Sequence, residues 1–185
     1  QSEVRFAVRA GQSYLLEVTT YGTPSGGTLH LSLGPAFVKG DLNGDGLPDL
    51  VFRSLVNGAH NKAWFMDGVA RSAEADISPD AASSDWKIRG VDDFNGDGRN
   101  DLVFWNELTG NVEFWLMNGS TRPGAPVPLS GAPVLNPQWD LSGTDVFNGD
   151  HQPDIVWRNF TSQKIVIWTM NGTAKIGIII PGPEL

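Results

Sequence analysis

Three stretches decide the fold: DLNGDGLPDLVFR from Asp41, DFNGDGRNDLVFW from Asp93 and VFNGDHQPDIVWR from Val146. In register, the Asp that follows Asn-Gly recurs at Asp45, Asp97 and Asp150, at intervals of 52 and 53 residues. A second landmark keeps the same period. It reads AWFMDG at Ala63, FWLMNG at Phe114 and IWTMNG at Ile167, which sets Trp64, Trp115 and Trp168 at intervals of 51 and 53 residues. A weaker third landmark, Phe37, Trp86 and Trp139, precedes each loop, with a shorter lead-in in the first copy. Independent landmarks sharing one period identify an internal repeat, which is the sequence signature of blades and solenoids.

Each period has room for four strands of ~5–6 residues with their turns. In the second copy the pattern predicts strands over 86–91, 101–105 and 111–116 and a weaker edge strand over 125–129, with Leu108-Thr109-Gly110 turning between the second and third. The second strand is apolar on both sides, with Leu102 and Phe104 on one face and Val103 and Trp105 on the other. A sheet buried on both faces and repeated at this interval is what packed propeller blades require. The expected class is therefore all-β, with three propeller-type four-stranded blades of about 52 residues over 35–80, 81–133 and 134–185. A sandwich of ordinary hairpins is the alternative, but it leaves one face of each sheet in water and alternates more cleanly.

Residues 1–34 break the period. EVRFAV, SYLLEVTT and TLHLSL alternate apolar and polar residues between turn signals, which predicts a short antiparallel β segment ending at Gly34-Pro35. The Ala-rich stretch over 70–84 contains Pro79 and several Ser, and reads as a loop with an edge strand rather than a helix.

Composition agrees with this picture. A chain of 185 residues can bury most of its apolar surface, and 22 Gly, 12 Pro, 9 Phe and 7 Trp suit short strands joined by tight turns. The absence of cysteine excludes disulfides, zinc-thiolate sites, iron-sulfur clusters and a thiol nucleophile. A net charge of -8 and a sequence pI near 4.7 argue against a nucleic-acid partner. No window approaches the ~20 apolar residues of a membrane helix, so membrane insertion is not expected. Gln1 opens into a polar segment, and the expectation is a mature chain or a fragment.

The loop spacing Asp-x-Asn-x-Asp-Gly-x-x-Asp places oxygen-bearing side chains at positions 1, 3, 5 and 9, with a Gly at 6 that aims the position 7 carbonyl inward. Calcium takes six to eight such oxygens, whereas magnesium demands stricter octahedral geometry and retains waters. The predicted ligands are Asp41, Asn43, Asp45, the Leu47 carbonyl and Asp49 in loop one, and Asp93, Asn95, Asp97, the Arg99 carbonyl and Asp101 in loop two. Three crowded carboxylates repel one another, so the cation that neutralises them becomes part of the fold. The alternative is a plain Asx turn without an ion. Loop three has Val146 at position 1 and His151 at position 6 while keeping Asn148, Asp150 and Asp154; Asp145 is adjacent but points away from the loop. Two calcium sites and a degenerate third are expected.

The repeat over about 36–175 resembles the FG-GAP/VCBS family, on DLNGDGLPDLVF, DFNGDGRNDLVFW and NGDHQPDIVWR, each followed by a WFMDG, WLMNG or WTMNG strand. The resemblance implies a β-propeller with calcium between the first two strands of a blade, as in integrin α-subunits and many secreted bacterial proteins, and an extracellular setting. Residues 3–33 more faintly resemble the last strands of a β-sandwich accessory domain of secreted bacterial hydrolases.

No catalytic constellation stands out. His30, His60 and His151 are scattered, and eight of the fifteen Asp belong to the loops. The expectation is a non-catalytic, secreted or cell-surface calcium module for binding, adhesion or scaffolding, with a glycan or extracellular protein as ligand. Trp64, Trp115 and Trp168 are expected in the core, and Trp86 and Trp139, at strand starts, nearer a rim that could stack a sugar. One alternative is an accessory part of a secreted polysaccharide-active enzyme, for which Glu107 and Glu113 are the candidate acids; their counterparts in the third copy, Phe160 and Val166, are not acidic. Another is a structural subunit of an extracellular assembly. Closed propellers have ~4–8 blades, so three imply self-association or a longer chain.

Overall fold

The apolar run that follows each Asp/Asn loop becomes a strand, central in the second and third sheets and at the edge of the first. The computed structural model describes residues 37–54, 60–80 and 83–182, so the expected strands of 1–34 and His30 lie outside the described residues. Among the described residues there are eleven strands and no helix, hence none long and apolar enough to cross a membrane. β1 (Leu50–Ser54), β2 (His60–Asp67) and β3 (Ala70–Asp76) form a three-stranded sheet in that order. β4 (Trp86–Asp92), β5 (Asp101–Asn106), β6 (Val112–Trp115) and β7 (Val127–Pro128) form the second sheet. β8 (Trp139–Asp145), β9 (Asp154–Asn159), β10 (Ile165–Asn171) and β11 (Ala174–Ile179) form the third. All pairings within the sheets are antiparallel meanders, and no sheet closes into a barrel.

The expected strands of the second copy appear within a residue or two, except the last. β7 shrinks to two residues because Pro123, Pro126 and Pro128 cannot donate to a ladder. In the first and third sheets the last strand instead follows a two-residue turn, Gly68-Val69 or Gly172-Thr173, whose glycines take the positive φ of 60° and 59° that such turns require. Phe37 differs from its counterparts Trp86 and Trp139, which open β4 and β8: it is exposed and belongs to no described strand.

Both faces of the second sheet are buried, which is why its sequence does not alternate. On one face Leu102, Phe104, Trp115 and Met117 pack with Ala63 and Ile77, flanked by Val51 and Phe65 of the first sheet. On the other, Val103, Trp105, Val112 and Phe114 join Phe94 against Ile155, Trp157, Trp168 and Met170 of the third sheet. Each large side chain buried this way contributes about 1.5–3 kcal/mol. The first strands of the last two sheets run side by side, and Gly90 of β4 makes the approach possible: a Cβ there would sit 2.5 Å from Thr144 Cγ2 of β8.

Consecutive sheets are also stitched through the backbone, twice in the same way. Ser78 donates to the Ser120 carbonyl (3.0 Å) and accepts from the Arg122 amide (2.7 Å). Ser130 donates to the Thr173 carbonyl (3.2 Å) and accepts from the Lys175 amide (2.9 Å).

Candidate functional site: the three Asp/Asn loops

Each loop joins the first strand region of a repeat to its second strand, and its side chains organise its own backbone. In loop one Asp41 accepts the Gly44 and Gly46 amides at 2.7 and 2.8 Å, Asn43 accepts the Asp45 amide at 2.9 Å, and Asp45 accepts the Leu47 amide at 2.8 Å. Loop two repeats this set: Asp93 accepts Gly96 and Gly98, Asn95 accepts Asp97, and Asp97 accepts Arg99. The Asn43 and Asn95 amides donate to the Asp45 and Asp97 carboxylates at 2.9 and 3.1 Å. Gly46 and Gly98 sit at φ of 87° and 83°, in the left-handed region where glycine is the least strained residue.

The ninth position works differently. Asp49, Asp101 and Asp154 are buried, and each ties its loop to the Met of the landmark that follows: Met66 in β2, Met117 just past β6 and Met170 in β10. Asp101 accepts the Phe94 amide at 3.0 Å and the Met117 amide at 2.8 Å. Asp49 accepts Leu42 (2.8 Å) and Met66 (2.9 Å), and Asp154 accepts Phe147 (3.1 Å) and Met170 (3.0 Å). The Met position of each WFMDG, WLMNG and WTMNG landmark thus supplies the backbone amide that meets the loop's last carboxylate, while the Met117 and Met170 side chains fill the core. Burial raises the Asp101 pKa to about 7, with Asp97 and Asp93 adding to the rise, although its two amide donors pull the other way.

Loop three keeps this fold without the first carboxylate. Asn148 accepts the Asp150 amide (3.0 Å), Asp150 accepts Gln152 (2.8 Å), and His151 takes φ of 65° where the other loops have Gly. Val146 supplies no acceptor for the amides that Asp41 and Asp93 satisfy. Asp145, at the end of β8, accepts the Val146 amide and lies 3.8 Å from Lys39.

Among the described residues no group of three or more acidic or histidine side chains stands arranged to hold a metal ion. The oxygens of Asp41, Asp45, Asp93 and Asp97 are held by loop amides. The donor chemistry of loops one and two nevertheless fits a hard cation: positions 1, 3 and 5 each carry a carboxylate or an amide oxygen, and a carboxylate has about four lone-pair sites of which the amides take two or three.

Sequence reasoning missed several residues that join the loops. Asn100, buried between loops one and two, accepts the Gly40 amide (2.8 Å) and donates to the carbonyls of Val38 (2.9 Å) and Asp41 (2.7 Å). Its counterparts Pro48 and Pro153 cannot do this, so no repeat signal marks it. Lys39 reaches Asp92 at 2.8 Å and the Thr144 carbonyl, linking the chain before loop one to the ends of β4 and β8. A basic group lies over each landmark Trp: Arg71 over Trp64 at 4.8 Å, Arg122 over Trp115 at 4.5 Å and Lys175 over Trp168 at 5.6 Å. That signal was in the sequence, seven residues after each Trp.

Trp115 and Trp168 are buried as expected, whereas Trp64 is only half-buried. The two candidate acids are engaged structurally, Glu107 lying 3.3 Å from Lys87 and Glu113 accepting the Trp115 indole N–H at 2.9 Å. His60 pairs with Asp80 at 2.8 Å. A cavity of about 300 Å³ lies where the second and third sheets meet, lined by Trp86, Asn111, Glu113, Leu129, Trp157 and Trp168 among others. No family model, curated protein or solved structure matches the chain.

Proposed function

We propose that this chain is a non-catalytic, calcium-stabilised repeat module of the FG-GAP/VCBS type, working at the cell surface or in secretion as a binding, adhesion or scaffolding unit. The observation that carries the reading is the hydrogen-bond pattern shared by loops one and two, which folds Asp41, Asn43 and Asp45, and Asp93, Asn95 and Asp97, into one short turn each. With the Leu47 and Arg99 carbonyls and Asp49 and Asp101, these residues would hold the ion. Bound calcium supplies charge neutralisation and a cross-link between the loop and the second strand. Sheets packed face to face, with their first strands adjacent, support the propeller-blade reading. Affinities of ~10⁻⁴–10⁻³ M suffice for such modules outside the cell, where the ion is plentiful.

The cavity between the second and third sheets supports a glycan as the ligand over a flat protein surface. It combines the half-buried Trp86, which suits the apolar face of a sugar ring, with the polar Asn111 and Glu113. Calorimetric titration of the chelator-stripped protein tests the metal reading. Two calcium ions bind per chain, one is lost in Asp45→Asn and both in Asp45→Asn/Asp97→Asn; heat of binding that persists in the double variant contradicts the assignment.

A further inference from the structure

We propose that the outer face of the third sheet docks against the first sheet of a second copy of this chain, repeating between molecules the junction that joins consecutive sheets within one. The proposal rests on the repeat-blade reading and not on calcium. The chain contains this junction twice, and the same equivalent positions are sealed both times and open at the two ends. At the second loop position Leu42 and Phe94 are 6% and 0% exposed beneath the following sheet, whereas Phe147, with no following sheet, is 48% exposed. On the opposite side of the repeat, Leu102 and Ile155 are fully buried against the preceding sheet, while Leu50 is 51% exposed. Val112 of β6 is 6% exposed within the second junction, and its counterpart Ile165 of β10 is 42% exposed.

Backbone contacts follow the same rule. A Cβ on Gly119 would lie 3.6 Å from the Leu42 carbonyl and one on Gly172 3.3 Å from the Phe94 carbonyl, so each hairpin turn sits on the loop of the preceding sheet. Gly68, the equivalent turn of the first sheet, has nothing within 4 Å. The turn without a loop to rest on and the loop without a turn above it, at Phe147, are the two halves of a third junction.

A second copy is the occupant because its first sheet presents Leu50, Phe52, Trp64 and Met66 in the register in which Leu102, Phe104, Trp115 and Met117 meet the first sheet and Ile155, Trp157, Trp168 and Met170 meet the second. Arg158 on the third sheet's outer face is no obstacle. It holds the place of Arg53, whose guanidinium bonds the Ser83 carbonyl beside the first junction. The contact joins different patches, so it is heterologous. Two copies joined at both ends bring together six sheets, within the ~4–8 that close a ring.

Sedimentation of the calcium-saturated chain from about 1 to 100 µM tests the proposal, with Phe147→Lys and Leu50→Lys each blocking one face and Ile165→Lys as a second block of the Phe147 face. The wild type sediments at twice the monomer mass, and each variant alone associates at least about tenfold more weakly. An equimolar mixture of Phe147→Lys and Leu50→Lys regains a dimer, because each partner keeps the face that the other lacks. A wild-type monomer throughout, as when another segment of the chain covers these faces, overturns the proposal, as does a mixture that stays monomeric. Melting curves on the same samples separate the two claims: a folded monomer still stabilised by calcium leaves the module reading intact and removes only the docking.

Discussion

Asp101 carries two opposed demands. Its carboxylate is fully buried, which favours the neutral form, yet it accepts the Phe94 and Met117 amides, which favours the charged one. Asp101→Ala leaves two buried amides without acceptors and is expected to cost about 2–5 kcal/mol in denaturant unfolding, because each unsatisfied group costs ~1–3 kcal/mol. A loss under about 1 kcal/mol would mean that the tie between loop two and Met117 is not structural. The pH dependence follows from the shift. The folded value is about 7 against 3.8 for an ordinary aspartate, so the native state keeps a proton that the unfolded chain releases between those values. The stabilisation this gives is complete below pH ~3.8 and is lost as pH rises through 7. In chelator, the stability gap between wild type and Asp101→Ala therefore narrows from pH 4 to 7, and a gap that widens would contradict the assignment. The Asp/Asn loops were legible as a spacing, but this tie was not, because it joins position 9 to a Met sixteen residues on and depends on strand register that no short motif encodes.

At the scale of elements, position in the stack decides the weight of equivalent residues. Phe94 and Phe147 occupy the same loop position, one sealed by the third sheet and the other at an open face. Phe94→Ala is expected to cost about 3–5 kcal/mol and Phe147→Ala less than about 1 kcal/mol in the monomer, measured by urea unfolding at low concentration. Equal costs would contradict the stacking order. The strands were readable because apolar residues fill both sides of β5, whose two faces are both buried. β7 was read too long, since the prolines that curtail it were weighed as turn signals and not as missing donors. The ring-to-cation stacks of Arg71, Arg122 and Lys175 kept the repeat period and were available, whereas the Asn100 clasp had no counterpart and was not.

At the largest scale, the three sheets of the described residues pack their apolar faces against one another in series, leaving Leu50 of the first and Phe147 and Ile165 of the third exposed. Such a stack adds its stability junction by junction, so anything that stiffens the loops at the junctions stabilises the chain as a unit. Loops one and two meet at Asn100, and loop two lies under the Gly172 turn, so metal bound in either loop is felt beyond its own sheet. We propose that a bound cation is a folding element of this chain. Thermal unfolding in about 5 mM calcium against excess chelator tests it most directly. Two sites of ~10⁻⁴–10⁻³ M affinity add about 2–5 kcal/mol at that concentration, so the account predicts a Tm higher by roughly 5–15 °C, reduced in Asp45→Asn and abolished in Asp45→Asn/Asp97→Asn. Superimposable melting curves with and without calcium would reduce the three loops to Asx turns and contradict the account.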